Sequence, residues 1–246
     1  VDRTIASKDL DGNIFNIGLE AQSVNKGTSG SFSYKGNVND VNLTYALKDI
    51  NFESYDVPLG AIIHDGSPEA EDHLENSDYS NFSHKFGTSI VRDWGYFGFS
   101  VADIENTYGI AFHGEHHEEE EEEDHEEHEE RIEVNSDSSN LTIEGAALNL
   151  SGLDKLSYFA QINDYEFTES HVGGEHDGES TTFTNESFDI GLKFDIGNQN
   201  SGNRQNVTLN LSQEEIAILP SDENDDPFMR PSESGMLSIG YFICRE

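Results

Sequence analysis

Between residues 186 and 196 the chain alternates apolar and polar side chains without a break. Phe188, Ile190, Leu192, Phe194 and Ile196 fall on one side, and Asp189, Gly191, Lys193 and Asp195 on the other. Successive side chains of a β-strand point to opposite faces, so a period of two predicts a strand with one apolar and one polar face. The pattern recurs at 14–21 (IFNIGLEA) and 41–48 (VNLTYALK), and at 95–103, where Phe97, Phe99 and Val101 oppose Tyr96, Gly98, Ser100 and Ala102. It predicts an all-β chain of about ten strands, at 13–24, 29–36, 40–52, 82–91, 94–105, 134–149, 154–167, 184–196, 205–215 and 234–243.

The connections sort by length. Short ones are Gly36–Asp40, Arg92–Trp94, Leu150–Asp154 and Gly197–Asn203, and long ones lie near 53–81, 105–133, 168–183 and 216–235. Only Asn25–Thr28 breaks the alternation, being short on the long-loop side. An antiparallel meander with short turns at one end and long loops at the other is the pattern of a transmembrane β-barrel, whose apolar residues face lipid around a polar interior. That arrangement also accounts for a hydrophobic content of 34%, where globular proteins reach roughly 45–50% with glycine included. Phe15, Leu43, Phe97, Phe99, Ile190 and Leu192 are expected on one lipid-directed face. The loops carrying His73, His116 and His171 are expected at one end, and the turns near Asn39, Asp93, Gly152 and Asn200 at the other. Trp94, beside a short turn, is expected as an interfacial anchor, with Tyr55, Tyr79 and Tyr108 in the opposite aromatic girdle.

The long loop after the fifth strand holds HGEHHEEEEEEDHEEHEE, residues 113–130, with five histidines, twelve acids and one glycine. Burying a dozen like charges is prohibitive, so the tract belongs in water. Imidazole and carboxylate are both ligands of borderline divalent cations such as zinc. His113, His116, His117, His125 and His128 are therefore candidate metal ligands. The first three lie close to the strand end at Tyr108–Gly109, and the last two are spaced i, i+3. The bland alternative is a solvated acidic collar. His171 and His176, with Glu175, Asp177 and Glu179, repeat the composition on a smaller scale; the alternative there is a flexible Gly-rich hairpin. His64, Asp65, Glu69, Glu71, Asp72 and His73 repeat it again. Nine of the ten histidines fall in three of the long loops, and His84 starts the strand after one of them.

Charge and cysteine count narrow the classes. The formal net charge is −37, with 50 acids against 13 bases, which excludes nucleic acid as a partner and favours cations. A single cysteine, Cys244, offers neither a disulfide framework nor a thiolate zinc site. No apolar run approaches the roughly 18 residues of a membrane-spanning helix, and no signal peptide opens the chain. Val1 is not a start residue, which predicts a mature, trimmed or partial chain. No catalytic constellation stands out, and the chain is expected not to be an enzyme.

Several stretches resemble the TonB-dependent outer-membrane receptors, within them the zinc-uptake branch. They are WGYFGFSVADIENTYGIAFHGEHHEE (94–119), RIEVNSDSSNLTIEGAALNLSGLDKLSYFAQINDYEFTES (131–170) and HVGGEHDGESTTFTNESFDIGLKFD (171–195). In such receptors a strand ending in a segment like YGIA runs into a His-rich extracellular loop. A strand ending in NDY leads to a second loop closed by TTFTN. The opening VDRTIA is similar to the join between the plug domain and the first barrel strand. The resemblance spans about residues 1–200, is specific in 94–195, and fades after 200.

It implies a bacterial outer-membrane receptor, with zinc as transported ligand, outer-membrane lipid around the barrel, and the TonB complex as partner of the full-length protein. The family has a plug and roughly 22 strands; here the plug is absent and the whole of 1–246 reads as part of the barrel. The C-terminal YFICRE lacks the family's terminal aromatic. A receptor for a metal chelate or siderophore is the alternative within the class. A soluble acidic metal-buffering or adhesive β-protein is the alternative outside it. The ligand set suits zinc, nickel, copper(II) and cobalt alike.

Overall fold

The computed structural model describes residues 4–64, 67–68, 70–111, 131–174, 176–196, 203–221 and 227–245. Its elements are β1 (Asn13–Ala21), β2 (Thr28–Val38), β3 (Val41–Phe52), β4 (Tyr55–Asp56), β5 (Ile63–His64), β6 (Ser67–Pro68), β7 (His73–Leu74), β8 (Tyr79–Arg92), β9 (Gly95–Gly109), β10 (Arg131–Leu150), β11 (Leu153–Val172), β12 (Ser180–Ile196), β13 (Asn203–Pro220) and β14 (Met229–Arg245). Ten of them form one antiparallel sheet in the order β1-β2-β3-β8-β9-β10-β11-β12-β13-β14. Each main strand pairs with its sequence neighbours in that sheet. The four short strands pair as β4-β7 and β5-β6 inside the β3–β8 connection. The sheet is not closed on itself: β1 and β14 are its two edges.

The meander fixes the ends. Connections 22–27, 53–78, 110–130, 173–179 and 221–228 leave from one end. The turns at 39–40, 93–94 and 151–152, with the 197–202 connection, leave from the other. Asn39 and Asp40, at φ +51° and +63°, close the β2–β3 hairpin as a two-residue turn of the type that matches strand twist. The main strands run further toward the long-loop end than the alternation suggests. β10 begins at Arg131 and β11 continues to Val172, so His171 lies within a strand.

Register sorts the side chains into two faces. One apolar row runs Phe15, Tyr34, Tyr45, Phe86, Val101, Leu141, Ile162, Phe188 across eight strands. The next row toward the short turns holds Leu43, Phe99, Ile143 and Ile190, and the one after it Ile90, Phe97, Tyr158 and Leu192. Phe15, Leu43, Phe97, Phe99, Ile190 and Leu192 thus share one face, as the alternation predicts. On β12 the apolar positions run from Phe188 to Ile196, which at about 3.4 Å per residue is about 27 Å of strand. No other strand packs on this face among the described residues: the contacts between elements are all between paired strands. Phe15, Ile17 and Leu19 are 63%, 75% and 86% exposed, while among the described residues the buried apolar ones are Ile5, Ile132, Val134, Ala146 and Ala217. No second sheet of a sandwich covers the apolar face among the described residues.

The opposite face is polar and satisfies itself by cross-strand amide ladders. Asn81 Nδ2 donates to Asn106 Oδ1 at 2.8 Å, and Asn106 Nδ2 donates to Ser136 Oγ at 3.1 Å. Asn140 donates to Asn163, which donates in turn to Ser187 Oγ at 3.0 Å. Residues 4–10 lie across this face. Thr44 Oγ1 donates to the Thr4 carbonyl, Ser89 Oγ to the Ala6 carbonyl at 2.6 Å, and Asn42 Nδ2 to the Lys8 carbonyl at 3.1 Å. The Leu10 amide closes the strap by donating to Asn42 Oδ1 at 2.9 Å. Gly98 makes room for it, since a Cβ there would come within 2.5 Å of Ile5 Cγ2.

The register corrects one expectation. Tyr79 and Tyr108 pair with each other in the row of Phe52 and Val134, one position out of phase with Phe82 and Glu105. They stand on the polar face, with ring centroids 6.5 Å apart, and not in an outer girdle. Tyr55 lies in β4, outside the main sheet. Aromatics of the apolar face toward the loop end include Phe82, Phe32, Tyr34 and Tyr45, with Phe32 and Tyr45 at 6.2 Å.

Candidate metal-capturing rim

The tract holding His113, His116, His117, His125 and His128 lies outside the described residues. What the structure describes is its root. β9 and β10 stay paired up to Gly109 opposite Glu133, and one step further the Ile110 amide donates to the Ile132 carbonyl at 3.0 Å. Entry and exit of the tract are therefore held side by side.

A second connection braces this root. Arg131 donates to both carboxylate oxygens of Asp78, Nη1 to Oδ1 at 2.7 Å and Nη2 to Oδ2 at 2.8 Å. It also reaches Glu133 at 3.3 Å and Asn76 Oδ1 at 3.5 Å. The hydrogen bonds from Arg131 outweigh desolvation and hold the Asp78 carboxyl below the ordinary carboxylate range. The Gly109 amide donates to the Asp78 carbonyl at 3.4 Å. Gly109 also tolerates the close approach of Asn76, whose carbonyl oxygen would sit 2.7 Å from an added Cβ. The 53–78 connection is thus pinned across the strand ends that feed the acidic tract. It folds as nested hairpins through β4-β7 and β5-β6. His73 there lies between Asp72 at 3.3 Å and Glu75 at 3.8 Å.

The third loop carries the two remaining candidate ligands. His171 is in β11 opposite Ile132, and its backbone exchanges hydrogen bonds with Glu179 and Gly178 at 2.9 and 3.0 Å. Asp177 accepts from the Gly173 amide at 2.9 Å. This tight hairpin brings the His171 and His176 rings to 5.8 Å between centroids, and His176 Nδ1 lies 3.3 Å from Glu179 Oε1. Two of the seven expected ligands are thus brought together, and the other five lie in the undescribed tract. Among the described residues no group of three His, Cys, Asp or Glu side chains is placed to hold a metal ion.

His84 stands apart from the rim. It is the sixth residue of β8, in the outer-face row of Leu47 and Asp103. Its Nε2 lies 3.1 Å from Asp103 Oδ2. Neither this pair nor the Asp78–Arg131 pair is apparent from local sequence. Both depend on register or on a loop folding back over 53 residues of chain. The only advance signal for the second was Arg131 itself, a base directly after twelve acids.

No protein-family model matches this chain, and no curated protein sequence matches it.

Proposed function

We propose that the chain is part of an outer-membrane receptor barrel that captures a divalent metal ion, zinc first, at the cell surface for TonB-dependent import. The observation that carries this reading is the histidine/acid tract 113–130, rooted between paired strand ends at the same end of the sheet as the His171–His176 pair. The exposed apolar face supports the membrane setting. About 27 Å of strand, tilted 35–45°, rises about 19–22 Å along the barrel axis, most of the roughly 25 Å apolar band of such barrels. The two free edges support the reading of a larger barrel, because unpaired backbone is costly in lipid. The metal is cargo. Histidine and carboxylate ligands concentrate it at the mouth, and the remainder of the receptor carries it inward.

The test uses the chain purified in detergent micelles. Zinc titration calorimetry is run at pH 7.5 and pH 5.5 on the native chain and on a variant with His113, His116, His117, His125 and His128 replaced by alanine. Imidazole must be neutral to coordinate, and an ordinary histidine titrates near roughly 6.5. The native chain is expected to lose most of its tighter binding at the lower pH, and the variant to show only weak, acid-type binding at both. Equal zinc affinity for the two chains would refute metal capture by the tract.

A further inference from the structure

The polar face carries a second feature that the metal reading does not use. A concavity of about 410 Å³ opens on it over β1, β2, β3, β8 and β9, lined by Lys48, Lys85, Ser33 and Ser83 above Ala46 and Ala102. Lys48 is opposite Ser83 and Lys85 is opposite Ala46, so the two lysines are diagonal neighbours on adjacent strands. Such Cα atoms are about 7–8 Å apart, and the flexible stems allow both ammonium groups to converge on one ligand atom group. Neither lysine pairs with a carboxylate among the described residues. Asn16 Nδ2 donates to Ser33 Oγ at 3.1 Å, which leaves the Ser33 hydroxyl proton to be donated elsewhere.

The charge around this pocket is opposite to that of the chain. On the polar face of these five strands stand Lys35, Lys48 and Lys85 against one acid, Glu20. A cation is repelled by the two unpaired ammonium groups, and a neutral ligand leaves them unmatched. Ammonium and hydroxyl donors together suit a carboxylate or phosphate. The alanine floor suits a compact apolar body attached to it, and the volume lies in the range of small-molecule sites. We propose that this concavity binds a small organic anion, a carboxylate or phosphate ester on a compact apolar body. The site is independent of the histidine tract and stands or falls apart from it.

Phenyl phosphate and inorganic phosphate serve as probes, titrated by calorimetry into the full chain in detergent micelles. Phenyl phosphate is expected to bind saturably and more tightly than inorganic phosphate. Lys48→Gln and Lys85→Gln should each weaken it about tenfold, since each removes one charge-assisted donor. Lys193→Gln makes the same change in net charge on the same face, where Lys193 lies 3.6 Å from Asp195, and should leave affinity unchanged. Lys48→Arg and Lys85→Arg keep the charge, and should retain binding if the glutamine variants lose it through chemistry and not misfolding. The proposal is overturned by an absence of saturable binding, by glutamine variants no weaker than Lys193→Gln, or by equal affinity for the two probes.

Discussion

Arg131→Ala tests the brace at the root of the acidic tract. The native guanidinium makes two short bonds to Asp78 and one longer bond to Glu133. Its side chain is 28% exposed and that of Asp78 is 29% exposed. Charge-assisted bonds contribute roughly 1.5–3 kcal/mol each when well shielded, and exposed ion pairs about 0–1 kcal/mol. A pair this accessible belongs between the two, at about 1–2 kcal/mol. Removing Arg131 also leaves the Asp78 and Glu133 carboxylates without a cation between them, next to twelve further acids. That raises the expected cost to about 2–3 kcal/mol. Asp78→Ala should cost less, about 1 kcal/mol, because Arg131 keeps Glu133 and Asn76.

The loss is local, so hydrogen exchange reads it better than global unfolding. Protection at the Gly109 and Ile110 amides should fall about 30- to 150-fold in Arg131→Ala and about fivefold in Asp78→Ala. Lys26→Ala, which removes a fully exposed pair with Glu53 at 3.0 Å, should leave those amides unchanged. The pH sign follows from Asp78, whose carboxyl is depressed by its bonds from Arg131. Its contribution is complete above the ordinary carboxylate value near about 4 and disappears as pH falls through the lower, folded-state value. Native protection at Ile110 in Arg131→Ala would refute the brace.

Three further outcomes are expected. Gly87→Val should dislodge the strap of residues 4–10, because a side chain there meets the Thr4 carbonyl; loss of exchange protection at the Leu10 amide with the sheet amides unchanged measures it. In a bilayer, Ile143→Lys should cost about 2–4 kcal/mol and Ser139→Lys about 0–1 kcal/mol, if the apolar rows face lipid and Ser139 lies above them; equal costs in reversible unfolding from vesicles would contradict that placement. His171→Ala with His176→Ala should weaken zinc binding less than the five substitutions in the tract, because the pair offers only two imidazoles and the carboxylate of Glu179; calorimetry at pH 7.5 ranks the two variants.

The strand interiors were legible because period two is written directly into segments such as FDIGLKFDI, and each of those residues lies on the face that its parity assigns. The strand ends were not. Residues 106–108 of β9 read NTY, with no apolar–polar alternation to mark the strand there, although they pair with both β8 and β10. The same holds for TESHV at the end of β11, which is why His171 read as a loop residue. Nearness to the loops suggests an outer girdle for Tyr79 and Tyr108, but depth along a strand says nothing about face. Their parity with Phe52 decides it. The strap at 4–10 carries no periodicity at all. It is held by carbonyls accepting from Thr44, Ser89 and Asn42, and a carbonyl is the same at every position of a sequence.

The charges follow one rule that the alternation contains without announcing. All five lysines within the main strands, Lys35, Lys48, Lys85, Lys155 and Lys193, stand on the polar face. The outer face carries its acids in rows above the apolar band: Asp103, Asp164, Glu186, Glu215 and Glu233 in one row, with Glu105, Asp137 and Glu166 in the next. Like charges directly across strands repel, so this belt lowers the stability of the sheet at its loop end. Screening by water and salt limits that cost where the rows are wet and would not in hydrocarbon. The belt therefore sets an upper limit to the part of each strand that can lie in a membrane, at the row of Phe15, Leu141 and Phe188. On the opposite face of β1, β2, β3, β8 and β9, by contrast, Lys35, Lys48 and Lys85 stand against one acid, Glu20. If the proposed capture at the rim holds, a metal ion that travels along that wall as a bare cation meets repulsion from Lys48 and Lys85. Bound to an anionic carrier, it would not.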